Sequence, residues 1–177
     1  MKQRIIITLG IAVLGLVVAT AALAANLTAT ATVTGTAGIG LTLPANPALS
    51  DTLDGTDQTV SYAPILGVVD ARGTGAGWNL QISATAFTDS ASHTLAQGQV
   101  GSVAQACTVG STCTTATSSG ISYPLTIGTT AAKFFNAALN SGLGKLSITP
   151  TINVAIPGNA YAGTYTSTVT LAATTGP

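Results

Sequence analysis

Apolar and polar residues alternate along much of this chain with a period of two, the signature of half-buried strands rather than of helices. Leu27, Ala29, Ala31 and Val33 alternate with Thr28, Thr30, Thr32 and Thr34, and beyond Gly35 a shorter run sets Ile39, Leu41 and Leu43 on one face. Pro44 and Pro47 close that run, because proline donates no ladder hydrogen bond. From Val60 to Val69 nearly every side chain is apolar or small, as expected of a central strand covered on both faces. Trp78, Leu80, Ile82, Ala84 and Ala86 then oppose Asn79, Gln81, Ser83 and Thr85 on a strand that reaches Phe87. Residues 88–120 break the pattern. Leu95, Val100 and Val103 are too scattered among Ser, Thr, Gly and Ala to set a period, which predicts a long polar loop insertion or a pair of short edge strands.

Order returns at Ile121, Tyr123, Leu125 and Ile127, one face of a strand in which Pro124 marks an edge or a bulge. The run Ala131–Leu139 predicts a short helix closed by Asn140 and Gly142, with Phe134 and Leu139 anchoring it to the core. Leu146, Ile148, Ile152, Val154 and Ile156 alternate across Pro150, and Thr164, Thr166, Thr168 and Thr170 oppose Tyr165, Val169 and Leu171. Two long strands therefore finish the chain. Many strands separated by turn signals, with little helical periodicity, predict an all-β antiparallel β-sandwich, immunoglobulin-like or related.

The first residues are of another kind. Lys2 and Arg4 precede an apolar run from Ile5 to Val18, and Ala22-Leu23-Ala24 forms a small-x-small site. This is the pattern of a secretory signal peptide over residues 1–25, cleaved after Ala24 or Ala25. An uncleaved anchor is the alternative, since Ile5 to Ala25 is just long enough to span a bilayer; the small-residue site favours cleavage. What remains, residues 26–177, suits one domain with a single core. Within it all five acids are Asp and the bases are Arg72, Lys133 and Lys145, so no basic patch exists to neutralise phosphates and nucleic acid is excluded as a partner.

The side chains that carry chemistry are few. General acid–base work needs titratable groups in reach of each other, and the chain supplies one His, five Asp and no Glu. Asp89, Ser90 and His93 lie close in sequence, whereas hydrolytic triads are normally assembled from distant segments; a polar loop is the reading. Asp51, Asp54 and Asp57 share one segment without the alternate oxygens and closing Glu of an EF-hand, and a surface turn is expected. Neither a metal nor a cofactor is expected, and the chain is not read as an enzyme. Cys107 and Cys113, close together in an exported chain, are expected to form a disulfide across a small loop.

The densest change of character falls at Val68-Val69-Asp70-Ala71-Arg72-Gly73-Thr74-Gly75-Ala76-Gly77-Trp78-Asn79-Leu80, which holds the only Trp and the only Arg outside the N-terminal segment. It reads as a strand, a glycine-rich connection and a strand. A nucleotide loop does not fit, because Trp78 stands where the third glycine of G-x-G-x-x-G would fall and no helix follows. Two residues apart on extended backbone, Asp70 and Arg72 share a face, where the guanidinium can bond the carboxylate or cap turn carbonyls. The alternation places Trp78 with core-type Leu80 and Ile82, a core plug; the competing role is an aromatic surface for sugars, shared with Tyr62, Tyr123, Tyr161 and Tyr165.

Asp70-x-Arg72-Gly73 followed by Gly77-Trp78-x-Leu80 resembles the first signature of the WxL family of bacterial cell-surface domains. The second signature, a Tyr and then a Trp-x-Leu four residues on, is met by Tyr165 and Val169-Thr170-Leu171, with Val169 in place of the Trp. Gly142-Leu143-Gly144, Val154-Ala155-Ile156-Pro157, Ala162-Gly163-Thr164-Tyr165 and the final residue, Pro177, also resemble that family's pattern. The resemblance implies one WxL-like domain over residues 26–177, attached without covalent linkage to peptidoglycan or another cell-wall glycan. It implies that Asp70, Arg72, Gly73, Gly77, Trp78, Leu80, Tyr165 and Leu171 serve binding; the sequence shows no second hydrophobic span, so no membrane contact is expected after signal cleavage. Composition leaves open a second role, a structural subunit of a surface layer or fibre that meets other surface proteins through Thr-rich strand edges.

Overall fold

The computed structural model describes residues 30–177; the predicted signal peptide, and Leu27 and Ala29 of the first predicted strand, lie outside these residues. The strands among them are β1 Gly40–Thr42, β2 Gln58–Tyr62, β3 Leu66–Asp70, β4 Trp78–Ala84, β5 Phe87–Thr88, β6 Thr94–Leu95, β7 Gln99–Cys107, β8 Leu125–Thr126, β9 Ala132–Ala137, β10 Gly144–Ile156 and β11 Val169–Thr175. The larger sheet runs β1-β3-β10-β7-β8, with β2 also on β10; the smaller runs β11-β4-β9; β5 and β6 form a hairpin of their own. Every pairing is antiparallel. The fold is all-β, made of antiparallel sheets that pack against one another.

The core follows from the alternation. From the larger sheet Leu66, Val68, Val100, Leu146, Ile148 and Ile152 are buried, and from the smaller Trp78, Leu80, Ile82, Ala84, Phe135 and Ala137, all in one apolar cluster. β10 holds the larger sheet together: Leu66 to Asp70 pair along the first part of one edge, Gln58 to Tyr62 along the last part, and β7 along the other edge. Its alternation passes through Pro150 as the sequence predicts.

Several expectations give way here. Val60 to Val69 is two strands, not one, because Pro64 falls between them, and outward residues such as Ile65 and Val69 are left partly exposed. The predicted helix over Ala131–Leu139 is strand β9: its alanines favour a helix locally, but the edge of β4 offers a ladder and a core for Phe134 and Phe135, and tertiary pairing overrides propensity. Leu139 does not anchor anything and is 66% exposed. The pairing shifts between Leu80 and Gln81, leaving Phe134 as the extra residue, and this bulge lets two consecutive phenylalanines both bury.

Residues 88–120 are a loop only in their second half, since no strand forms over residues 108–120. They contain the β5–β6 hairpin's second strand and all of β7, which sits inside the larger sheet between β10 and β8. Of the strand predicted over Ile121–Ile127 only Leu125–Thr126 is paired, and the last strand begins at Val169, not Thr164. Residues 30–34 form no strand, Val33 is fully exposed, and Leu43 is half exposed beyond the end of β1.

Candidate functional site

The family-type residues near the middle of the chain meet at one end of the sheets. Asp70 ends β3 and Trp78 begins β4, and the connection between them turns through Gly73, Gly75 and Gly77, all at positive φ. Arg72 Nε and Nη2 donate to Asp70 Oδ1 and Oδ2 at 2.9 Å each. The same Nη2 donates to the Gly77 carbonyl at 2.7 Å, and Nη1 to Thr175 Oγ1 at 3.2 Å. Both charged side chains are buried, so the pair is a closed fork and not a surface ion pair. Hydrogen bonds from Arg72 hold the Asp70 carboxyl below its usual range.

The C-terminus is tied to the same place. Gly176 N donates to the Gly77 carbonyl at 3.1 Å, Asn79 Nδ2 donates to the Gly176 carbonyl at 2.8 Å, and Thr174 Oγ1 donates to Asn79 Oδ1 at 2.8 Å. Trp78 lies beneath this latch and is fully buried. Its ring packs on Phe135 with centroids 5.9 Å apart, and Nε1 donates to the Gly142 carbonyl at 2.9 Å. Gly142 has φ +68°, and a Cβ there would fall 2.7 Å from Trp78 Nε1 and 2.5 Å from the Ala137 side chain. Only glycine lets the turn reach the indole this closely. On the ladder, Trp78 stands opposite Thr175 and Ala137, while Leu171 stands opposite Ile82. Asp70, Arg72, Gly73, Gly77, Trp78 and Leu80 thus form one constellation, and Leu171 lies further along β11.

Tyr165 is elsewhere. It belongs to a segment beyond the other end of β4 and β11, where its hydroxyl donates to the Tyr161 carbonyl at 2.9 Å. Burial, and then the Asp89 carboxylate, raise its phenol above the ordinary range. Here the loop over residues 49–53, the last residues of β10, the β5–β6 hairpin and the 160–165 turn enclose an open cleft of about 660 Å³. A shallower depression of about 320 Å³ adjoins it across Leu95, Ala160, Tyr161 and Tyr165, which line both. Asp89 and His93, which the sequence sets in a polar loop, are the hairpin's connection. Asp89 Oδ1 accepts from Ala91 N and His93 N, and Oδ2 lies 2.7 Å from His93 Nδ1. The imidazole stacks on Tyr161 with centroids 3.9 Å apart and planes 13° apart. That juxtaposition was out of reach of the sequence, since nothing local relates a hairpin at residue 93 to a turn at residue 161.

The expected disulfide between Cys107 and Cys113 is present, with Cα atoms 5.6 Å apart. It fastens the end of β7 to the segment that follows. Asp51, Asp54 and Asp57 are used separately, Asp54 accepting from Thr56 N and Oγ1 and Asp57 from Gly158 N. Among the described residues no group of three or more potential metal ligands comes together.

The model of the WxL domain family, described as surface cell wall-binding, matches residues 29–177. A search among curated proteins finds no match to the chain.

Proposed function

The chain belongs to the WxL family and is a surface cell wall-binding domain, and from this premise we propose that it is a secreted, non-catalytic module that holds to peptidoglycan without a covalent bond. Residues 1–25 act as a cleaved signal peptide, and residues 26–177 form one domain, a β-sandwich of immunoglobulin-related type. The family-type residues divide the work. Asp70, Arg72, Gly73, Gly77, Trp78 and Leu80 build and lock the end of the sheets, and they support attachment by maintaining the fold rather than by lying against the wall polymer.

One observation carries this division: Trp78 is fully buried, with its indole N–H satisfied inside the protein. A side chain in that position has no face left for a sugar. Co-sedimentation with purified peptidoglycan sacculi tests the reading. The folded wild-type chain is expected in the pellet, and a Trp78→Phe variant, measured while still folded, is expected there in equal proportion. Loss of sedimentation by that folded variant would place the indole in the binding surface and overturn the division.

A further inference from the structure

The cleft around Tyr161 and its neighbouring depression have no part in the latch, and their chemistry is specific. Tyr161 is 65% exposed. One ring face rests on His93. His93 is itself held by Asp89, whose carboxylate also accepts two backbone N–H groups. Tyr165 donates to the Tyr161 carbonyl and fixes the turn beneath. An exposed aromatic ring already backed on one face loses less freedom than an unsupported one when something stacks on the other. Surface aromatics that merely remain uncovered have no such backing.

The walls limit what that something can be. Phe87, Leu95 and Val154 give the larger depression an apolar floor, while Ser50, Asp51 and Thr52 place hydroxyl and carboxylate oxygens along one side. Neither Lys nor Arg lines either depression; a polyanion would meet the Asp51 carboxylate in the larger one, and the His93 ring of the smaller one is already engaged by Asp89. A neutral sugar chain satisfies all of these features, since pyranose rings present C–H faces to an aromatic and hydroxyl edges to polar oxygens. N-acetyl methyl groups suit the apolar floor. The two depressions adjoin across Tyr161 and Tyr165, so an occupant longer than one sugar can pass over the tyrosine into both.

We propose that this cleft is the wall-binding site and takes an uncharged N-acetylhexosamine glycan strand, with Tyr161 as its stacking platform. The proposal rests on the peptidoglycan reading given above and deepens it by naming the site and the part of the polymer that is held.

The test pairs a soluble probe with the intact polymer. Titration of the folded chain with the N-acetylglucosamine tetrasaccharide, followed by calorimetry, should show binding. Tyr161→Ala should weaken it at least tenfold at an unchanged melting temperature, Tyr161→Phe should keep it, and cellotetraose, which lacks the acetamido groups, should bind more weakly. Co-sedimentation with peptidoglycan sacculi should then fall for Tyr161→Ala alone. If wild type and Tyr161→Ala sediment equally, the cleft is not the site, while the peptidoglycan reading survives. If Tyr161→Ala loses sedimentation but the tetrasaccharide does not bind wild type, the glycan assignment is overturned in favour of the peptide part. If wild type itself stays in the supernatant, the peptidoglycan reading fails and the proposal falls with it.

Discussion

Arg72 shows how much one side chain can settle. Its guanidinium closes a two-pronged bond with Asp70, caps the carbonyl of Gly77 and reaches Thr175 on the last strand. A lysine carries the same charge but presents a single ammonium, which cannot make the planar fork and reach the carbonyl together. Arg72→Lys is therefore expected to lower stability by about 1 to 3 kcal/mol, the cost of leaving buried partners short of a bond, read as a drop in urea midpoint. The Asp70 carboxyl gives this end of the fold a pH dependence. Its folded-state pKa lies below the unfolded value of about 3.9, so its contribution is complete above that value and is lost as pH falls through the folded pKa. Asp70→Asn should then be less stable at neutral pH, with the gap to wild type closing in acid; a gap constant from pH 7 to pH 2 would refute the assignment. Trp78→Ala removes a fully buried indole and should cost on the order of 3 to 5 kcal/mol. Acrylamide should quench the native Trp emission only weakly.

At the level of the element, the legible strands were those whose period is unbroken. Trp78 to Phe87 and Leu146 to Ile156 alternate without interruption in the sequence, and both form strands, although β4 stops at Ala84 and Phe87 belongs to the β5–β6 hairpin. β7 was hidden by one residue. Its ladder with β10 shifts between Thr151 and Ile152, making Gly101 the extra residue, so the inward positions change parity between Val100 and Val103 and the pattern looks scattered. β9 was hidden for a different reason: Ala-Ala-Lys-Phe-Phe-Asn-Ala-Ala has helical character, and only the unpaired edge of β4 makes it a strand. The buried half of the Arg72 and Trp78 constellation was legible because its residues lie close in sequence. The Tyr161 cleft was not, since it joins the loop near residue 50, the hairpin and the turn near residue 160, which only the folded topology brings together. The disulfide belongs to this scale too. It closes a short loop after a strand already paired on β10, so reduction should cost only about 2 kcal/mol. Mass spectrometry without reductant should find two hydrogens missing per chain, and two alkylatable thiols would exclude the bond in the exported protein.

For the molecule as a whole, the decisive fact is that the latch and the cleft sit at opposite ends of the same strands. β10 pairs with Asp70 at Gly144, its first residue, and reaches the cleft at Val154 and Ile156, its last. Thirteen residues of strand span roughly 40 Å, and sites so far apart with no shared partner act independently on stability. Changes at the two ends should therefore separate stability from attachment. Arg72→Lys should shift the melting temperature and leave sedimentation with peptidoglycan equal to the folded fraction at every temperature. Tyr161→Ala should leave the melting temperature in place and lower sedimentation at temperatures where every molecule is folded. The double variant should show both losses, each unchanged in size within about 0.5 kcal/mol for the stability part. A larger coupling would mean that the frame transmits strain from the Gly77 turn to the Tyr161 turn through the strands and the core they share. In that case the latch residues would tune wall binding directly, and their division from the cleft would have to be given up.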